Sequence, residues 1–294
     1  MTGATWIRNE RRIALLLLAP SVLFLLAMAI YPSFYSLYLA FHNYMIYRPG
    51  DAPFYGFGNF RDLFADSSFF AAIRVTSIFA FGAVALEFLV GLAVALLLDR
   101  KMKGIGLLRT LFIIPVLISP VGMGLTFRYI FAPSYGLANY LLKLVGVPAL
   151  NWFSDVTLAL PLTIMADVWQ WAPFVALVLL SGMQSVPVDV MEAAELDGLS
   201  EWQKLWRIVM PLIMPVVTVV LLIRLIDAIR LFDLVYTLTR GGPGSSTLVL
   251  SIYSYAQGFA SGDMGMASAA AWLMVIAVNI LVLVFLRVLS RLQK

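Results

Sequence analysis

The chain has 294 residues, 62% of them hydrophobic and 12% charged; soluble domains carry about a quarter charged residues, so this composition excludes a soluble fold and marks an integral membrane protein. Its formal net charge of +4 fits basic loops on the cytoplasmic side of a bilayer better than a nucleic-acid-binding face. With no cysteine and one histidine, His42, the chain has no disulfide, no thiolate metal site, no cysteine nucleophile and no multi-histidine metal site.

Apolar runs long enough to cross a bilayer, which takes about 20 helical residues, lie at Ile13 to Leu39, Ala71 to Leu98, Leu107 to Phe131, Thr157 to Leu180, Leu212 to Phe232 and Met266 to Leu286. The expected fold is all-α, a polytopic membrane protein of six transmembrane helices forming one domain over 1–294. Arg8, Arg11 and Arg12 precede the first run, and Ala27-Met28-Ala29 has the look of a signal-peptidase site. The apolar run continues well past it, which identifies a retained anchor. Pro20, Pro32, Pro115 and Pro120 are expected to kink their helices, as spanning segments tolerate.

The first outer loop, His42 to Phe70, contains Phe54-Tyr55-Gly56-Phe57-Gly58-Asn59-Phe60-Arg61-Asp62-Leu63, a mix of aromatics and turn residues suited to an interfacial aromatic belt. Further on, Asp167, Gln170, Trp171 and Phe174 share one face of the fourth span at i, i+3, i+4 and i+7, and Arg224, Asp227, Ala228 and Leu231 repeat that spacing on the fifth. Ionisable groups at membrane depth face the bundle interior and mark a pathway or a pair. A ring beside amide and carboxylate groups suits a sugar, which has apolar faces and a hydroxyl rim. Arg224, Asp227, Arg230 and Asp233 also alternate in sign every three residues, so an internal ion-pair ladder competes with the pathway reading, and both can hold. Glu87 on the second span and Asn279 on the sixth are further polar candidates that no spacing argument connects.

Between these spans lies a polar hairpin, residues 187–215, PVDVMEAAELDGLSEWQKLWRIVMPLIMP. Pro187 suits a first helical turn, Asp189 complements the helix dipole, and Gly198 supplies the left-handed residue that closes a helix. Ser200 and Gln203 have capping-box spacing, and Pro211 is expected to end the second helix. Lys and Arg near the span ends divide twelve to six in favour of the side bearing both termini and this hairpin, which predicts that side to be cytoplasmic. The third outer segment carries Leu238-Thr239-Arg240-Gly241-Gly242-Pro243-Gly244. No Gly-Lys-Ser/Thr follows, so these glycines are not a phosphate loop. The last span opens with small residues, Met264 to Ala271, that let helices approach closely.

Glu192-Ala193-Ala194, Asp197-Gly198, Ile208 and Pro211 resemble the EAA loop of permease subunits in bacterial ABC importers, departing at Met210, where that family usually has Leu. The aromatic outer segment and the Gly241-Gly242-Pro243 turn are similar to segments of sugar-importing permeases, and the two polar faces align with the sugar-contacting helices of maltose-type permeases. Several expectations follow from the resemblance. Glu192, Ala193, Ala194, Asp197, Gly198, Ile208 and Pro211 would couple to an ATPase, and Asp167, Gln170, Trp171, Phe174, Arg224, Asp227, Ala228 and Leu231 would line a carbohydrate pathway. The partners would be a second homologous permease, two cytoplasmic ATPases that bind ATP and Mg, and an extracytoplasmic solute-binding protein. The chain itself would hold no cofactor and catalyse no reaction, and it would reside in a bacterial inner membrane with both termini inside. A charged pair in the pathway argues against the same disaccharide as the maltose systems carry. The alternatives are a permease for a non-sugar solute, a stand-alone secondary transporter, which would leave the hairpin unexplained and shows no repeat here, and an intramembrane enzyme, for which nucleophile and base are missing.

Overall fold

The computed structural model describes residues 3–48, 50–100 and 103–292. Helix α1 (Gly3–Leu25) contains Pro20, and a π-helical turn, Leu26–Ile30, joins it to α2 (Tyr31–Ala40), where Pro32 occupies the first turn and needs no amide partner. After the short α3 (Gly58–Ala65), α4 (Ser67–Leu98) opens at Asp66, whose carboxylate accepts the Ser68 amide at 2.8 Å.

The third expected span is broken. It comprises α5 (Ile105–Phe112), α6 (Ile114–Leu117) and α7 (Pro120–Ile130), with a 95° bend before α7. Pro115 and Pro120, the two prolines expected to bend it, each start a new helix, and Ser119 caps the second through the Gly122 amide at 3.2 Å. Next come α8 (Leu137–Leu144) and α9 (Ala159–Gln184), the latter passing through Pro173.

The hairpin is α10 (Val188–Leu196) and α11 (Glu201–Lys204), which runs through a π-helical turn, Leu205–Val209, into α12 (Met210–Leu212). The helix therefore does not stop at Pro211, as the sequence predicts. The Met210 amide reaches back five residues to the Leu205 carbonyl, and this wide turn accommodates the proline ring. The break falls two residues later, a 73° bend at Ile213 into α13 (Met214–Ile229). The chain ends with α14 (Asp233–Leu238), α15 (Leu250–Tyr255), the π-helical turn Ala256–Ala260 and α16 (Met264–Leu292). Among the described residues four helices qualify by length and composition as membrane spans, and counting each bent pair as one span makes six. Apart from two isolated bridges there is no β-structure among the described residues.

The chain forms two compact units, Met1–Ala65 with Ser254–Leu273, and Asp66–Tyr253 with Met274–Lys294. In the first, buried Asn59 donates to the Ala40 and His42 carbonyls at 2.9 and 3.0 Å, closing the C-terminus of α2. Its sequence signal was the aromatic-glycine segment. The second unit holds the larger core, in which Leu92, Ala95 and Leu98 of α4 pack with Val175, Leu179 and Met183 of α9 and with Val217 and Val220 of α13. α4 and α9 touch at Gly91, where an added Cβ would lie 2.8 Å from Val175.

Candidate functional site

The hairpin is built from local signals. Pro187 is the N-cap of α10, and Gly198 takes φ +72°, which reverses the chain after the Asp197 C-cap. The capping box forms, with the Ser200 amide donating to Gln203 Oε1 at 2.9 Å and the Gln203 amide to Ser200 Oγ at 3.4 Å. A tie between the helices, not foreseen from the sequence, comes from Lys204. Its Nζ donates to Glu195 on α10 at 3.0 Å and to Glu201 on α11 at 2.8 Å, while the lysine itself is buried.

Of the hairpin residues singled out, Ala194 is buried and Ile208 is half-buried. Glu192, Ala193, Asp197, Gly198 and Pro211 face outward. So do Val188 and Trp202, and above all Leu196, which is 90% exposed. Acid and apolar side chains are thus both exposed on the hairpin, a composition suited to a protein partner.

Some distance along α9 and α13 lies a buried charge cluster. Arg224 is gripped bidentately by Glu87 of α4, with Nε to Oε2 at 2.7 Å and Nη2 to Oε1 at 2.9 Å. Its Nη2 also donates to Asp167 of α9 at 3.0 Å. All three residues are buried, and the Trp171 ring covers the guanidinium with its centroid 4.5 Å from Cζ. Three helices are therefore joined at one cation, in a medium where each charge must be paired to be tolerated.

Asp227 stands apart from this arrangement. Its carboxylate lies 3.8 Å from Arg224 Nη1, beyond hydrogen-bond distance, and is about half exposed. Arg230 and Asp233 make no ion pair among the described residues, because α13 ends at Ile229 and the three-residue spacing no longer keeps them on one helical face. The cation's partners thus come from other helices. Asn279 is exposed and donates to Val275 on its own helix at 2.8 Å.

Gln170 is also buried, and its Nε2 donates to the Ile118 carbonyl at 2.7 Å. That carbonyl sits at the sharp bend of the third span, where Ile118 is extended and the helical ladder is interrupted. Ala228 is buried in the apolar cluster around Phe79 and Ala83, and Leu231 is half-buried against the same cluster. Trp171 and Phe174 meet edge to face with ring centroids 6.2 Å apart. Phe174 opens onto a 500 Å³ cleft lined by Ser181, Ser185 and Val216. No group of three or more His, Asp or Glu residues arranged to hold a metal occurs among the described residues.

Residues 87–294 match the family described as binding-protein-dependent transport system inner membrane component. The trehalose/maltose transport system permease protein MalF of Thermococcus litoralis is 34% identical to this chain over 280 residues, covering 95% of this chain and 94% of that protein. The trehalose transport system permease protein SugA of Mycobacterium tuberculosis is 34% identical, with 95% and 89% covered. The sulfoquinovosyl glycerol transport system permease protein SmoG of Agrobacterium fabrum is 30% identical, with 96% and 91% covered. In fold, the chain resembles one from the crystal structure of a bacterial ABC transporter that imports the acidic polysaccharide alginate, with a TM-score of 0.85 over 99% of this chain and 100% of that one at 24% identity.

Proposed function

Because this chain belongs to the family of binding-protein-dependent transport system inner membrane components, which are integral membrane transport subunits and not enzymes, we propose that it is one of two homologous permeases in an ATP-driven importer of a di- or oligosaccharide or related polyol. The observation that carries the ATP-driven reading is the hairpin. It combines a positive-φ glycine, a formed capping box, a buried lysine tie and an outward face bearing Glu192, Asp197 and Leu196. Two cytoplasmic ATPases would bind ATP and Mg and dock on that face, and a solute-binding protein would deliver the sugar from outside. The carbohydrate class is supported by relatives named for trehalose, maltose and sulfoquinovosyl glycerol.

Within a single translocation domain over 1–294, burial divides the pathway residues into two roles. Trp171, Phe174, Leu231 and Asp227 have accessible surface and would meet the sugar. Asp167, Gln170, Arg224 and Ala228 are buried behind them and would hold α4, α9 and α13 in register.

Reconstitution tests this function. The permease pair, with its ATPases and binding protein in proteoliposomes, is expected to accumulate labelled trehalose, maltose or a longer glycan only when ATP is supplied. ATP-driven uptake of an amino acid with none of the sugars would replace the carbohydrate reading, and uptake without any ATPase would overturn the importer. Orientation is read from single cysteines placed in this cysteine-free chain at the exposed positions Ser134 and Leu196. They are expected to label from outside and inside respectively, and labelling of both from one side would refute the topology.

A further inference from the structure

A second cleft, 490 Å³ in volume, lies in the Asp66–Tyr253 unit among segments that the charge distribution places outside. Its walls are Arg128 and Phe131 from the end of the bent third span, Tyr135 just beyond, Phe153 and Ser154 before α9, and the Thr239–Pro243 turn. We propose that this cleft is an outer carbohydrate-binding site that takes a pyranosyl unit of the transported sugar before it enters the membrane. The inference rests on the carbohydrate reading above and on the outward placement of these loops.

The chemistry of the lining selects the ligand. Phe131, Tyr135 and Phe153 supply ring faces of the kind that pack against the C–H faces of a pyranose. Ser154 and Tyr135 add exposed hydroxyls. Arg128 is exposed, makes no ion pair among the described residues, and has as its hydrogen bond there a long 3.5 Å approach of Nη1 to the Thr237 carbonyl. A planar guanidinium fork with its donors free is matched by two adjacent oxygens on one ligand, either neighbouring hydroxyls or the carboxylate of an acidic sugar. The volume falls within the range of small-molecule sites, roughly 300–1,000 Å³.

The walls are also held rigid, as a binding site requires. Buried Asn139 ties the loop before α9 together, donating to the Pro133 and Leu150 carbonyls at 3.0 and 2.9 Å and accepting from Trp152 Nε1 at 2.8 Å. Trp152 and Phe153 then pack edge to face on Phe131, with centroids 5.2 and 6.2 Å away. On the opposite wall, fully buried Thr247 hydrogen-bonds Thr239 Oγ1 and the Gly242 carbonyl, both at 2.7 Å. The turn between them needs Gly241 at φ +91°, where an added Cβ would also press on Ile252 and Leu248. The glycine-proline motif thus forms a preset wall of a cleft.

The test uses Ser154→Cys in this cysteine-free chain, within the assembled transporter in nanodiscs without its binding protein. Labelling by a membrane-impermeant maleimide is followed on the band of this chain, with trehalose, maltose and an alginate trisaccharide as probes. At least one probe should slow labelling about fivefold when present at about four times its dissociation constant. Adding Arg128→Gln or Tyr135→Ala should raise the protecting concentration about tenfold, and Tyr135→Phe, which keeps the ring and loses only the hydroxyl, should raise it by less than Tyr135→Ala does. Protection that persists unchanged in both Arg128→Gln and Tyr135→Ala overturns the site. Sugar uptake by the unsubstituted transporter, with no probe protecting the Ser154→Cys variant from labelling, overturns the cleft alone. Absence of both uptake and protection overturns the carbohydrate reading with it.

Discussion

Substituting Glu87 by Gln tests whether the buried charge cluster holds the membrane helices together. Glutamine keeps the volume of the side chain but removes its charge and sets an NH₂ group against a guanidinium that now donates to two carboxylate oxygens at 2.7 and 2.9 Å. Removing one partner of a buried pair costs about 3–5 kcal/mol. Arg224 retains Asp167 at 3.0 Å, so the lower end applies, about 3 kcal/mol. At about 2 °C or more per kcal/mol for a chain of this size, the apparent Tm of the purified transporter should fall by about 6 °C or more. A triple variant, Glu87→Leu with Asp167→Leu and Arg224→Met, leaves no charge unpaired and should recover to within about 1 kcal/mol of the parent, because apolar replacement of a whole buried ion cluster is close to neutral. Thermal unfolding in detergent, followed by intrinsic fluorescence, measures both. A Glu87→Gln transporter as stable as the parent, or a triple variant less stable than the single one, would refute the reasoning.

Asp227→Asn should leave yield and Tm unchanged, since a half-exposed carboxylate 3.8 Å from its partner contributes at most about 1 kcal/mol; a loss of assembly comparable to Glu87→Gln would restore it to the ion-pair network. At Gly198 an added Cβ would meet no neighbour within 4 Å, so the main penalty of Gly198→Val is that of a left-handed backbone, about 1–2 kcal/mol. Such a variant should insert normally but retain less ATPase on affinity purification, and wild-type retention would undo the coupling role of the hairpin. Gln170→Ala removes the bond to the part-buried Ile118 carbonyl, at a cost of about 0.5–1.5 kcal/mol, and is expected to lower Tm while leaving the order of preference among sugars intact; a changed preference at unchanged Tm would place Gln170 in contact with substrate.

The hairpin was legible because its determinants are neighbours in sequence. A capping box, a glycine at a helix end and a proline at a helix start act over three or four residues; the box and the positive-φ glycine formed as expected, and Pro187 sits one residue earlier than expected, at the N-cap. Pro115 and Pro120 likewise announced a disturbed third span, though a proline pair does not specify a 95° bend. Pro211 misled because sequence periodicity assumes one helical pitch, whereas a π-turn spends an extra residue and passes the ring by. The charge cluster was hidden for another reason. Arg224 meets its partners across 137 and 57 residues, while the tempting alternation through Asp227, Arg230 and Asp233 is local. Spacing arguments see only what one helix can do for itself. A lone acid in a long apolar run was the available signal for Glu87, and it needed a fold to find its cation.

A lever transmits only the displacement that it does not absorb by bending. In the hairpin the obvious place to bend is the glycine turn, with both helices free to scissor about it. Lys204 braces that angle: one ammonium, buried and bonded to Glu195 on one limb and Glu201 on the other, makes a triangle of what would be a hinge. The next residues along, Leu205, Val209, Met210 and Ile213, are packed in the same core as Leu98 and Leu179. If a partner docks on the outer face of the hairpin as proposed, a push there would reach α4, α9 and α13 through a braced piece rather than through an open hinge.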